Sequence, residues 1–440
     1  MTAKRAALVL AAAAWLPGCG PSHLSKKTLN AHLAAGDFPA AQSYLESVKE
    51  TEYSKKNLVL YYLDLGLLQH HAGKFRESDA SFEKAENRMI ELYTKSATKA
   101  AGTMLLNDMT MDYGGEAYER ALTNVFRALN FVFLGQPDEA LVESRKVEVY
   151  LDGLSRGKSR RSYKDDAFAR YLDHLLYLDA DKQDDARVSL EAADAAYDWY
   201  GKAYNTLKPS FDLPPDGEVG ELVFIHYNGV APRKISKTFQ VAWNEAALAV
   251  NALKAKNDPE ANSAQFKNAL AAGITGKAIT VAFPEYVQDP FLVAGSEVRT
   301  GEHSAPTQLA EDISAIAYKD LADRLGAIRA RALARAMIKY IIAQAATKAA
   351  EDKYGKNSGM AIFTKITSNV GAAATEVADT RGWTTLPSQI RMARLRLAPG
   401  VHEVAVEFQN AAGQPVLTER FKGVRIQKGR RTYLSFRTAR

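Results

Sequence analysis

The chain has 440 residues, of which 47% are hydrophobic and 25% charged, and its net charge is +6 with a sequence pI near 9.0. This composition is that of an ordinary globular protein, so it excludes an intrinsically disordered chain and leaves room for two or three domains. Cys19 is the only cysteine. No disulfide can form within the chain, and the fold must be stabilised by packed cores.

Residues 1–18 have the three parts of a secretory signal. Lys4 and Arg5 are basic, residues 6–14 are apolar, and Gly18 is small. The apolar segment is shorter than the about 20 residues that span a bilayer. The sequence Leu-Pro-Gly-Cys at 16–19 resembles the lipobox of bacterial lipoproteins, although its proline is uncommon there. The alternative is an ordinary signal peptide with a chance cysteine.

The lipobox resemblance implies cleavage before Cys19 and three acyl chains on the mature protein. Each buried CH₂ contributes about 0.8 kcal/mol, so this anchor would dominate over the net charge, and the basic balance requires no nucleic-acid partner. Gly20, rather than an aspartate, follows the cysteine. The resemblance therefore implies an outer-membrane lipoprotein that faces the periplasm, with residues 19–27 as its tether.

Residues 28–206 are predicted to form helices that repeat in pairs. A turn is followed, at helical spacing, by small and large apolar side chains. The four turns are centred on Gly36, Gly73, Gly135 and Asp181. The pattern resembles the tetratricopeptide repeat, which implies an α-solenoid of stacked helix pairs. The turn spacing is uneven against a regular period of about 34 residues, so a generic helical bundle remains the alternative.

Helical repeats usually offer a concave binding surface. Residues that would line it here are Tyr61, Tyr62, His70, His71, Tyr171 and His174. Tyrosines at helical spacing are more typical of a core, and adjacent histidines on a helix point in different directions. None of these histidines has the i, i+4 spacing of a helical metal pair, so no metal site is predicted.

Residues 207–375 are predicted to be a mixed domain of strands and a long helix. A turn-rich linker at 213–217 precedes an apolar strand at 220–227, and a second strand is predicted at 278–283. A helical pattern at 243–256 lies between these two strands, and another helical pattern at 313–348 follows them. Residues 376–440 alternate apolar and basic side chains between tight turns, which predicts a small antiparallel β domain. The predicted class is mainly α with a smaller β portion, α+β.

Two motifs accompany the lipobox and the repeats. Asn228–Lys234 occurs with Phe283–Tyr286, and Asp379–Pro387 reads Asp-Thr-Arg-Gly-Trp-Thr-Thr-Leu-Pro. Together they resemble a family of bacterial lipoproteins with degenerate tetratricopeptide-like repeats and a DTRxWxxLP motif. The resemblance implies no enzymatic activity, and it implies a link to peptidoglycan synthesis because family members often appear beside lipoproteins of that process.

The motif residues are candidates for a binding or interface site: Asn228, Phe283, Asp379, Arg381 and Trp383. Each also has a structural interpretation. Asp379 can pair with Arg381 or cap a turn, and Trp383 can anchor a core. If these residues are buried hinges between lobes, they belong to the architecture rather than to a site.

An enzyme would need a nucleophile with its base, paired carboxylates or a metal. The only cysteine is assigned to the lipid, and the histidines show no ligand spacing. Gly273–Lys277 has too few residues between its glycines for a phosphate loop. The prediction is therefore a protein-interaction scaffold with a periplasmic protein partner, no catalytic residue and no cofactor. A lipid or glycan carrier is the main alternative, and an envelope enzyme is the second.

Overall fold

The computed structural model describes residues 23–99, 109, 111–156, 162–211, 213, 218–254, 278–356, 358, 360 and 377–439. Three stretches discussed above lie outside the described residues: the signal with residues 19–22 of the tether, residues 214–217 of the linker, and the loop 273–277. The predicted tether 19–27 was too long, because residues 23–27 are already helical.

The N-terminal half is a succession of helices that pack in pairs. They are α1 (His23–Ala35), α2 (Phe38–Ser47), α3 (Leu58–His71), α4 (Phe75–Lys99), α5 (Ala117–Phe133), α6 (Pro137–Arg156), α7 (Ala167–Asp179) and α8 (Gln183–Ala203). The paired helices meet at the four predicted turns, where Gly36, Gly73, Gly135 and Asp181 have φ values between 57° and 73°. A positive φ favours glycine, because a Cβ is strained there.

Within a pair, small residues let two helices approach closely. Gly66 of α3 faces the Phe82 ring of α4, and a Cβ built on Gly66 would lie 2.8 Å from that ring. The Ser78 hydroxyl donates to the Gly66 carbonyl across the same contact at 2.7 Å. Helix packing of this kind buries Phe82 completely.

The remaining elements follow in chain order. They are β1 (Gly220–Asn228), β2 (Arg233–Ala242), α9 (Trp243–Lys254), β3 (Ala278–Val287), β4 (Gly295–Thr300), β5 (His303–Pro306), β6 (Gln308–Asp312), α10 (Ile313–Tyr354), β7 (Gln389–Leu397), β8 (Gly400–Gln409), β9 (Pro415–Ile426) and β10 (Arg431–Thr438). Sheet 1 has the order β10-β1-β7-β6 and sheet 2 the order β5-β4-β8-β9, while β2 and β3 form a two-stranded ribbon.

Strand β1 is the centre of the β region, and all nine of its residues are buried. Its side chains alternate between two cores. Val223, Ile225 and Tyr227 pack with the N-terminal helices, whereas Leu222 and Phe224 pack with sheet 2. Sheet 1 therefore forms the middle layer between the helices and sheet 2.

The strands cross the domain boundary predicted at residue 376. β1 lies between β7 and β10, antiparallel to the first and parallel to the second, and β4 pairs with β8. Residues 376–440 therefore do not form a β domain of their own, because their strands complete sheets that begin in the middle region. The α+β class itself is confirmed: helices dominate the N-terminal half, and largely antiparallel sheets follow.

Helix α10 is 42 residues long, which corresponds to about 63 Å. Its first turns pack in the helical core through Ile313, Ile316 and Ala317. Its later turns form a separate core with α9 and the β2–β3 ribbon, around Trp243 and Met337. Across the described ranges, no helix has both the length and the apolar character needed to cross a membrane.

The close helix approach at Gly66 gives a test of this packing. Gly66→Ala should destabilise the fold by about 1–3 kcal/mol, because the added methyl group overpacks the Phe82 ring. Gly153→Ala is the matched control. Gly153 is an exposed helical glycine with no atom within 4 Å of a built Cβ, so that change should stabilise α6 by up to about 1 kcal/mol. Urea unfolding measures both, and equal effects would contradict the packing.

Candidate functional site

Arg381 is a buried anchor of the DTRxWxxLP segment. Its guanidinium makes a two-point ion pair with the carboxylate of Asp379, at 2.9 and 2.7 Å. The same group donates to the Met111 carbonyl at 2.7 Å and lies over the Tyr113 ring, 5.2 Å from its centroid. Arg381 is 3% exposed. The Asp379–Arg381 pair therefore fixes the segment against the loop before α5.

Trp383 enters the core of the N-terminal helices. Its ring packs edge-on against Phe82 and Phe126, with centroids 5.7 and 5.8 Å away. Its backbone N–H donates to the Glu119 carboxylate at 2.8 Å, and its indole N–H donates to the Thr385 hydroxyl at 3.1 Å. The residue is a structural anchor, since both of its polar groups have partners inside the protein.

Asp64 of α3 receives the end of this segment. Its carboxylate accepts hydrogen bonds from the Thr385 N–H at 3.0 Å, the Thr385 hydroxyl at 2.9 Å and the Tyr53 hydroxyl at 2.8 Å. Burial raises the pKa of Asp64 to about 6, although the hydrogen bonds from Tyr53 and Thr385 partly oppose the rise.

A buried charge cluster adjoins the segment. The Lys234 ammonium donates to the Glu116 carboxylate and to the Arg381 carbonyl. The other Glu116 oxygen pairs with Arg324 of α10 at 2.7 Å, and Arg324 pairs with Asp320 at 2.6 Å. Burial acts to lower the pKa of Lys234, but the charges of Glu116, Tyr286, Asp379 and Glu119 together outweigh it and the pKa is raised. Glu116, Lys234 and Arg324 therefore join the N-terminal helices, the β2–β3 ribbon and α10.

Asn228 and Phe283 lie outside the DTRxWxxLP segment and its charge cluster. The Asn228 amide donates to the Val293 carbonyl at 2.8 Å and accepts from the Thr438 hydroxyl at 2.8 Å, which fixes the end of β1 beside β10. Phe283 packs in the core between the β2–β3 ribbon and α10. The structure thus groups Asp379, Arg381 and Trp383 in one segment and places Asn228 and Phe283 at two other buried positions.

Sheet 1 packs on helix faces that carry three of the six tyrosines and histidines considered for a concave surface. His70 lies 3.0 Å from the Tyr227 hydroxyl of β1 and 2.7 Å from Asn130. His71 packs on the same Tyr227 ring, and the Tyr171 hydroxyl accepts from Arg394 of β7 at 2.6 Å. Tyr61 is buried in the helical core. These side chains therefore belong to the interior.

An open groove lies on another face of the N-terminal helices. It has a volume of about 540 Å³ and runs between α4 and α6, with Ala121, Thr123 and Asn124 of α5 as its floor. Its apolar walls are unusually exposed: Ile90 is 54%, Val142 52% and Val149 74% exposed. Exposed apolar side chains that cluster in this way mark interaction surfaces more often than scattered ones do.

Basic groups border the groove. The Arg120 guanidinium lies between the rings of Tyr93 and Tyr150, at 5.6 and 5.7 Å from their centroids, and Arg145 and Lys146 project from α6. The acidic member of the lining, Glu86, pairs with the buried Arg127 at 2.5 Å. The rim therefore presents positive charge next to an apolar channel.

Sequence reasoning missed the groove, although a signal for it was present. The buried stripe of α6 contains Ala140, Ser144, Val147 and Leu151. Val142 and Val149 lie seven residues apart and off this stripe, on a face that would otherwise be polar. Two valines at that spacing indicate a second apolar stripe, which needs a partner outside the helix pair.

In the part of the chain that the structure describes, no three His, Cys, Asp or Glu side chains are grouped so that they could hold a metal ion. Comparison of the sequence and the fold with protein-family models, curated proteins and solved structures found no match. The geometry of the groove and of the buried segment is therefore the basis for a functional assignment.

The buried Asp64 predicts a specific pH dependence. The folded state holds the Asp64 proton more tightly than an unfolded chain, whose aspartates have a pKa near 3.9. Ionisation between about pH 4 and pH 6 should therefore destabilise the fold relative to Asp64→Asn, by up to about 3 kcal/mol. Urea unfolding of both proteins from pH 3.5 to 7 measures the difference. A difference that stays constant with pH would contradict the assignment.

Proposed function

We propose that the chain is a lipid-anchored scaffold of the bacterial outer membrane that faces the periplasm and binds an amphipathic helix of a protein partner. The groove between α4 and α6 is the observation that carries the proposal. The lipobox and the DTRxWxxLP motif support membership of the lipoprotein family described above. In this proposal the chain carries out no reaction, and its partner acts in peptidoglycan synthesis.

The shape of the groove suits a helix. Val142 and Val149 are two helical turns apart on α6, a distance of about 10 Å, and Met89 and Ile90 of α4 form the opposite wall. A helix that docks in a groove uses apolar anchors at i, i+3 or i+4, and i+7. Two to three turns of such a helix would cover the exposed valines.

The charge of the rim determines the second property of the partner. Arg120, Arg145 and Lys146 outnumber Glu86, whose carboxylate already contacts Arg127 and Lys146. A helix with acidic residues beside its apolar stripe would match this rim, and like charge on a wrong partner would be repelled. The occupant is therefore an acidic amphipathic helix.

A photo-crosslinking amino acid at Val142 of the full-length protein, expressed in its native membrane, would capture the occupant, and mass spectrometry would identify the crosslinked segment. That segment, as a synthetic peptide, should bind Val142→Asp about 10–100-fold more weakly than wild type, because a charge replaces the buried contact of one valine. Val188→Asp is the matched control, since Val188 is 56% exposed on α8 outside the groove.

Three results would contradict the proposal. Crosslinks confined to abundant porins and chaperones would remove the defined partner. Crosslinks to a lipid or a glycan would instead support a carrier function. Equal binding of the peptide to the Val142→Asp and Val188→Asp proteins would place the contact outside the groove.

A further inference from the structure

A second cleft, of about 480 Å³, lies at the start of the helical region. It is bounded by α1, the turn between β1 and β2, and the loop between β3 and β4. Its polar lining consists of Lys26, Lys27 and Asn30 of α1 with Arg233 and Asp289. This cleft is separate from the α4–α6 groove, with which it shares no lining residue.

The cleft has an excess of positive charge. Asp289 is the one carboxylate in the lining, and it already pairs with Arg233 at 3.2 Å. The Lys26 ammonium lies 3.5 Å from the Thr380 carbonyl. Burial lowers the pKa of Lys26, and the charges of Lys234 and Arg233 lower it further, whereas those of Asp64 and Asp379 oppose the shift. The lining thus holds three cationic side chains against one carboxylate, and such an excess of positive charge favours the binding of an anion.

Asn30 adds an unpaired polar group. Its Oδ1 atom is buried and has no hydrogen-bond partner among the described residues, and the side chain lines the cleft. A buried acceptor without a donor costs free energy unless water or a ligand reaches it. The cleft thus combines cationic donors, which suit a phosphate, with an acceptor that a phosphodiester cannot satisfy and that a water molecule or a hydroxyl group of the lipid headgroup would have to reach.

The position of the tether determines what can reach this cleft. Cys19 is four residues before His23, the first residue of α1. Four residues span at most about 14 Å. With a lipid on Cys19, as in the proposed function, the start of α1 must lie within about 14 Å of the membrane surface. Lys26 and Lys27 are in the first two turns of α1, so the cleft that they line is within reach of the headgroup layer.

An apolar contact point lies beside the cationic lining. Phe291 lines the cleft, and the next residue, Leu292, is 55% exposed in the loop between β3 and β4. Basic side chains next to an exposed leucine are typical of surfaces that lie at the headgroup boundary of a bilayer.

We propose that the cleft of Lys26, Lys27 and Arg233 binds the phosphate of an anionic phospholipid in the membrane that holds the lipidated Cys19, with Leu292 in contact with the bilayer. The inference rests on the proposed lipid anchor. It adds a fixed orientation of the body against the membrane, which a lipid anchor alone would not supply.

The test uses the full-length lipidated protein in vesicles. Leu292→Cys would be labelled with a fluorophore; Cys19 is the only native cysteine and is blocked by its lipid, so the label is unique. Val401→Cys is the matched control, since Val401 is 68% exposed on β8. Lipids with a nitroxide quencher near the headgroup should quench the label at 292 at least threefold more in vesicles that contain phosphatidylglycerol than in pure phosphatidylcholine. The label at 401 should show no such difference.

The cationic lining is tested by charge removal. Lys27→Gln with Arg233→Gln should abolish the extra quenching at 292, whereas Lys422→Gln with Lys428→Gln, on the β9 end of sheet 2, should retain it. About 1 M salt should abolish it in the wild-type background without any substitution, because the Debye length falls to about 3 Å. Equal quenching in both vesicle types, or at positions 292 and 401, would overturn the proposal. Reversal by millimolar inorganic phosphate would assign the cleft to a soluble phosphate and would also overturn it.

Flotation of the same vesicles in 1 M salt separates the two proposals. If the protein floats but shows no extra quenching at 292, only the proposal that the cleft binds a phospholipid is contradicted. A protein that fails to float would contradict the lipid on Cys19, and with it the proposed function.

Discussion

The burial of β1 on both faces is the constraint on which the rest of the structure depends. One face supplies Val223, Ile225 and Tyr227 to the helical core, and the other supplies Leu222 and Phe224 to the core with sheet 2. Its two edges are paired with β7 and β10. Neither the helices nor sheet 2 can separate from this strand without exposing apolar surface, so the three layers should unfold together.

The DTRxWxxLP segment also connects the helices with the strands. Arg381 reaches the loop before α5, Trp383 reaches α5 and Thr385 reaches α3, and the Leu386 carbonyl accepts the backbone N–H of Ala231 just after β1. Buried ion pairs such as Lys234 with Glu116 offset their desolvation only when every partner is placed correctly. The main effect of such contacts is to favour one arrangement of helices and strands over others. Their net contribution to the free energy of unfolding is small.

Local features of the fold were predictable from the sequence. The turns at Gly36, Gly73 and Gly135 follow from glycine chemistry, and β1 follows from an apolar run closed by Asn228 and Gly229. Pairings between distant segments were not. Besides Asp379, the Arg381 guanidinium donates to the Met111 carbonyl and the Asn57 side chain, which lie 270 and 324 residues away, and a local pattern contains no information about such contacts. The boundary predicted at residue 376 was wrong for the same reason, since β7 and β10 alternate like strands of an independent sheet.

In the candidate site, too, the residue types could be predicted from the sequence but their surroundings could not. The sequence indicated that Asp379–Pro387 is a motif. Whether its residues form an open binding site or a buried structural contact depends on which other segments cover them. His70 and Tyr171 would suit a binding surface if the helices stood alone, and sheet 1 covers them instead. The exposed valines of α6 could be recognised in the sequence as a second apolar stripe. The groove itself could not be predicted, because it forms only where α4 and α5 lie beside α6.

The parallel pairing of β1 with β10 has a consequence for how the chain matures. β1 is complete by residue 228, while its neighbour begins at Arg431. During synthesis one edge of the most apolar strand stays open until about 200 further residues have emerged. Over that interval the helices α1–α8 can form, but sheet 1 cannot close. Termination before β10 would leave this edge of β1 unpaired, and an unpaired apolar strand edge is prone to aggregation.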